Sequence, residues 1–272
     1  MKHYSNMARQ AGMTLIELTV VLLVLIGLAG LMIPYVGGFV DKTHNSVNAD
    51  SLGAVNSAIQ RYEVQFMGYP DGMDSLIEAD NTIYDYMMNS GLYTPHQLTV
   101  NEAKSLTSVG IDNAYEMDVN AANATFLATT NNTIAMQTGN YVAVIKCDML
   151  MSGGGCMGGD WDTGGATQDN RAKALFNGKP ADTVNNYYVA FGVGTNSQMI
   201  GKTISEAPVH FAKRAENVAH AKYNRILAVF EVPKNTAADA GKKAKFMGTV
   251  MPMSMLMGLG QGLSAEYETM AE

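Results

Sequence analysis

Two parts of this sequence gather side chains able to do chemistry. The stretch CDMLMSGGGCMGGDWDTGGATQD, residues 147–169, holds Cys147 and Cys156 together with Met149, Met151, Met157 and the carboxylates of Asp160, Asp162 and Asp169. Thiolates and thioethers are soft ligands suited to a soft metal, whereas carboxylates are hard ligands suited to calcium. The two thiols could instead close a ten-residue disulfide loop, worth roughly 2–3 kcal/mol on a chain-entropy model. No histidine accompanies the thiols, so a disulfide between Cys147 and Cys156 is the leading expectation. As a calcium loop the aspartate spacing fails the EF-hand pattern, because Gly164 stands at the third ligand place. Asp160, Asp162 and Asp169 remain calcium candidates outside that pattern.

The second part is GMTLIELTVVLLVLIGLAGLMIP, residues 12–34. From Met13 to Ile33 run 21 residues, of which Glu17 alone can carry a charge. At about 1.5 Å per residue such a helix reaches roughly 30 Å, the thickness of a bilayer core. A charge at the centre of that core would cost about 2.5–3.5 kcal/mol or more, but Glu17 lies near one end, within reach of the headgroups. The segment is therefore expected to span a membrane once.

An ordinary secretory signal is basic, then apolar, then cut after small residues. Here the basic, polar MKHYSNMARQAG precedes the apolar run, and the small residue that suits a cut is Gly12. A cut there leaves the apolar helix on the product. It also turns the Met13 nitrogen from an amide into an amine, whose usual pKa of about 8 keeps it largely protonated. Glu17 could then pair with the Met13 amine of a neighbouring copy as helices pack away from water.

The run G-MTLIEL, the apolar helix and Pro34 together resemble the amino terminus of type IV pilins and pseudopilins. The resemblance covers about residues 8–70 and implies several things. A prepilin peptidase would cut between Gly12 and Met13 and methylate the new amine of Met13. Glu17, fifth in the mature chain, and Pro34, at the helix-kinking position, would serve assembly. A mature chain starting with Met is similar to the type IVb branch, although a leader of 12 residues is shorter than that branch carries. The implied fold is α+β, a type IV pilin-like fold in which a long amino-terminal helix, its apolar half transmembrane or in a filament core, packs on an antiparallel β-sheet head. The expected segments are residues 1–12 as leader, 13–34 as apolar helix, 35–68 as its amphipathic second half and 69–272 as head. Some pseudopilins of this family bind calcium in their loops, which keeps Asp160, Asp162 and Asp169 in view.

The remaining residues must position these groups. Pro34 has no amide hydrogen and stands among Gly27, Gly30, Gly37 and Gly38, so the helix is expected to kink or melt there. Leu52, Val55, Ile59, Tyr62 and Phe66 recur at helical spacing and make one apolar stripe, with Asn48, Asp50, Asn56 and Arg61 among the polar positions. Gly68 suits the helix stop and Tyr69-Pro70-Asp71-Gly72 a turn. Residues 72–139 read as a variable connection with a helix near 99–108, where Thr99 and Glu102 have capping-box spacing. YVAVIKC (141–147), NNYYVAFGVG (185–194) and RILAVFEVP (225–233) read as strands, and 210–223 as a helix. Met251, Met253, Met255 and Met257 alternate in an extended pattern, which suits packing before copper(I) binding.

The formal charge of −7 supplies no basic face, so nucleic acid is not an expected partner. No nucleophile motif, zinc signature or phosphate loop occurs, His44, His210 and His220 read as ordinary polar residues, and an enzyme is not expected. The reading is a structural subunit of a type IV pilus or pilus-like surface filament, stored in the inner membrane before assembly. Its partners are further copies of itself, the prepilin peptidase, and platform and motor proteins. A type II secretion pseudopilin is the alternative within the family, and a non-polymerising anchored binding protein the alternative outside it. No cofactor beyond calcium is expected.

Overall fold

The computed structural model describes residues 15–84, 93–117, 129–145, 182, 185–209, 223, 225–234 and 241–250. The chain divides into two compact units, Met1–Thr43 and His44–Glu272. Helix α1, Leu15–Phe66, belongs to both. It continues through Pro34 as helix rather than melting there.

In the second unit the expected stripe on α1 is largely buried. Leu52, Val55, Ile59 and Tyr62 join Ala58 in the main core, while Phe66 is half exposed. Asn48, expected on the polar side, is also buried. The helix end departs from expectation as well. Met67, not Gly68, takes the left-handed conformation, at φ 55°. Gly68 answers a different need: a Cβ there would strike the carbonyl of Val109, which accepts a hydrogen bond from the Tyr69 amide at 2.6 Å.

Among the described residues eight strands form one sheet: β1 Met73–Glu78, β2 Tyr93–Gln97, β3 Asn113–Met117, β4 Thr129–Ala135, β5 Tyr141–Ile145, β6 Asn186–Gly192, β7 Leu227–Pro233 and β8 Lys245–Val250. The path runs β2-β5-β6-β1-β3-β4, and β7 joins β6 to β8. Helix α2, Val100–Thr107, lies between β2 and β3 in sequence. Strands β1 and β3 are parallel; the other pairings are antiparallel.

These findings correct the expected fold class. A type IV pilin-like head was to be an antiparallel sheet, and the sheet is mixed. The apolar half of the long helix was to be transmembrane. Yet among the described residues no helix is long and apolar enough to cross a membrane. The same finding overturns the expected localisation as a single-pass inner-membrane precursor.

The sheet is buried on both faces, which explains the composition of its central strands. Val142, Val144, Val189, Phe191, Ala228, Phe230 and Val232 face the core that holds the α1 stripe. Their neighbours Ala143, Ile145, Tyr188, Ala190, Leu227 and Val229 face a second core with Leu76, Ile77, Tyr84 and Tyr223. Alternation by two thus distributes apolar residues to both sides, and such strands read as nearly continuous apolar runs.

Candidate functional site: the exposed apolar helix

The first unit presents the site the sequence singled out. Large apolar side chains from Leu15 to Leu28 are exposed, with Leu15 at 81%, Ile16 at 71%, Leu23 at 70% and Ile26 at 64%. Val20, Val21, Leu22 and Leu23 are consecutive and all exposed. At about 100° per residue these four point in every direction around the axis. The surface is a sleeve rather than a stripe, and covering it needs neighbours on several sides. Each such side chain forgoes roughly 1.5–3 kcal/mol while it stays in water. An apolar surface this continuous marks an interaction site.

Glu17 sits in the first turn of α1 as described, where a carboxylate is favoured by the helix dipole. Thr19 turns its hydroxyl inward on the helix, donating to the Ile16 carbonyl at 2.9 Å, and so presents little polarity to a partner. Gly27 and Gly30 have open space around a would-be Cβ, so within this chain nothing requires them to be glycine. Pro34 lies within α1.

The other residues singled out from sequence fall elsewhere. Gly12 and Met13 lie outside the described residues, as do Cys147, Cys156, Asp160, Asp162 and Asp169, the expected helix up to Lys222 and the alternating methionines from Met251. Among the described residues no group of three or more His, Cys, Asp or Glu side chains is placed to hold a metal ion.

The fold also assembles polar groups that sequence reasoning missed. Asp71, in the turn after α1, accepts hydrogen bonds at one carboxylate oxygen from the amides of Asp112 and Asn113, at 2.9 and 2.6 Å. Its own carbonyl accepts from the Gln198 amide. One residue, through its carboxylate and its carbonyl, thereby pins two distant segments to the end of α1. Lys202 stands over the rings of Tyr62 and Phe66, 5.4 and 4.9 Å from their centroids, and Arg61 donates to the Thr203 carbonyl at 3.1 Å. On the other face, Asp74 and Tyr223 meet in the second core with a hydrogen bond of 2.6 Å. The one sequence signal of that cluster was Asp74 itself, a carboxylate in the strand MDSLIE, which also holds Ser75 and Glu78.

The chain was compared with protein-family models, with curated proteins and with solved structures, and none of the three comparisons finds a match.

Proposed function

We propose that this chain is a structural subunit of a type IV pilus-like filament, cut after Gly12, methylated at Met13 and polymerised through the apolar part of α1. The observation that carries the reading is the sleeve from Leu15 to Leu28, exposed on all sides of the helix and beginning within the G-MTLIEL motif. A sleeve of this kind is satisfied by several like helices at once, which is the situation inside a helical filament. Copies of the same chain supply such helices without any further partner.

Glu17 gives the packing a register. Cleavage unmasks a cationic amine at Met13, and the carboxylate of a neighbouring copy neutralises it as both leave water. A pair formed late and away from solvent tolerates no axial slip, because either charge alone would be buried uncompensated. In this reading the chain does no catalysis of its own. The peptidase acts on it, and platform and motor proteins drive its addition to the filament.

The test is to shear surface material from cells that express the chain, image it, and sequence the amino terminus of the subunit. Fibres built mainly of this chain and starting at methylated Met13 are expected. Subunits that keep the first dozen residues, or that are never found in a polymer, would overturn the proposal. Short filaments tied to protein release would favour the pseudopilin reading instead.

A further inference from the structure

Asp74 stands in β1 directly across from Gly192 of β6. Its carboxylate and the Tyr223 hydroxyl share a narrow cradle between strands. A Cβ at position 192 would run into the Tyr223 hydroxyl, and one at 194 into the Asp74 carboxylate. Both side chains are buried. Tyr223 Oη donates to Asp74 Oδ2 at 2.6 Å. Among the described residues Asp74 Oδ1 receives no hydrogen bond, so half of a buried carboxylate is uncompensated by them.

Among the described residues, each neighbouring element brings a definable group to this carboxylate. The stretch before β7 brings Tyr223 and Arg225; the Arg225 charge acts on Asp74, while its guanidinium donates to the Ala207 carbonyl. Tyr84 meets Tyr223 edge to face at 6.4 Å. Strand β3 places Tyr115 beside Asp74 in register. Strand β6 and the residues after it contribute Gly192 and Gly194, which carry no side chain. No second donor is aimed at Oδ1.

We propose that Asp74 is a proton-operated latch: protonated, it seats Tyr223 and the start of β7 against β1 and β6, and deprotonated, it loosens that seat. A proton on Oδ1 removes the uncompensated charge and leaves Oδ2 free to keep accepting from Tyr223. Loss of the proton puts a full charge in a cradle closed by backbone and aromatic rings. Burial accordingly pushes the Asp74 pKa up to about 6, against the downward pull of the Tyr223 hydrogen bond and the Arg225 charge.

The sign follows from linkage. The folded value stands above the ordinary 3.8, so between roughly pH 4 and 6 the folded chain holds a proton the unfolded chain has lost. Stability from this group is fully present at acid pH and falls as pH rises through about 6. A filament subunit with such a latch would be tightest in mildly acidic surroundings and looser at neutral pH.

The test is urea unfolding of the full-length chain in one detergent, followed by far-ultraviolet circular dichroism at pH 4.5 and 7.5. For the native chain, Asp74 should contribute a rise of roughly 25-fold in the unfolding constant between those pH values. Asp74→Asn should lack that contribution, and Tyr223→Phe, which removes the donor but keeps the acid, should enlarge it. Identical pH dependence in the native and Asp74→Asn chains would overturn the latch. Should Asp74→Asn not fold, carbon NMR of aspartate carboxyls in the native chain decides: one group titrating near pH 6 supports the latch, and none above pH 5 refutes it.

Discussion

Glu102 Oε2 lies 3.0 Å from His96 Nε2 and also accepts the Thr99 amide at 2.9 Å, so one buried carboxylate ties the edge strand β2 to the first turn of α2. Burial opposes its ionisation, but the His96 and Thr99 hydrogen bonds outweigh burial and hold its pKa below the ordinary 4.5. A group with a depressed folded value stabilises above its unfolded pKa and loses that contribution as pH falls through the folded value. Glu102→Ala should therefore destabilise the chain by about 2 kcal/mol at pH 7 and flatten the acid limb of stability below pH 4.5. Urea midpoints at pH 3 and pH 7 check both effects. Equal losses at the two pH values would contradict this role.

Gly194 lies so close to the Asp74 carboxylate that no Cβ fits. Gly194→Ala should cost about 3 kcal/mol through forced displacement of the buried pair. Gly201, with open space around a would-be Cβ but a left-handed φ of 76°, should lose only about 1 kcal/mol on the same change. Thermal or urea unfolding of the two variants side by side separates clash from backbone strain.

The two sides of α1 in the second unit should respond in opposite ways. Ile59 is fully buried, whereas Val64 is 83% exposed. Ile59→Ala should cost about 3 kcal/mol, and Val64→Ala less than about 0.5 kcal/mol. Lys202→Ala, which removes a cation above Tyr62 and Phe66, should cost about 0.5–1 kcal/mol.

These contrasts show which parts of the chain were legible beforehand. Strands β5, β6 and β7 announced themselves because both of their faces are buried, so YVAVI, NYYVAFG and LAVFEVP are apolar almost throughout. Strand β1 did not, since MDSLIE buries Asp74, Ser75 and Glu78 along with its apolar residues. Strands β2 and β4 were hidden by Pro95 and by a run of Thr and Asn. Parallel pairing of β1 with β3 leaves no mark on either strand's composition. Helix α2 was legible from Thr99 and Glu102, because capping chemistry is local. Tyr223 and Asp74 are 149 positions apart, and nothing local announces such a partner. At the candidate site, Glu17 and Pro34 were found through their spacing in the amino-terminal motif, while the exposure of the sleeve needed coordinates.

Charge placed on the sleeve should leave the second unit intact and stop association. Leu23→Lys and Ile26→Lys remove no buried contact, because both side chains are exposed. Sedimentation and circular dichroism should report unchanged secondary structure with the variants shifted from large assemblies to small species. Unfolding of either variant would instead assign Leu23 and Ile26 to the fold.

Cross-linking between copies along α1 tests the central claim most directly. With Cys147 and Cys156 replaced by serine, a chain carrying Val20→Cys and Leu22→Cys, about 200° apart around the helix and both exposed, is oxidised in its native assembly and run on a non-reducing gel. Two exposed positions on different sides of one helix should yield a ladder of dimers, trimers and higher multimers. Monomers alone, from material shown by microscopy to be assembled, would contradict polymerisation through this helix.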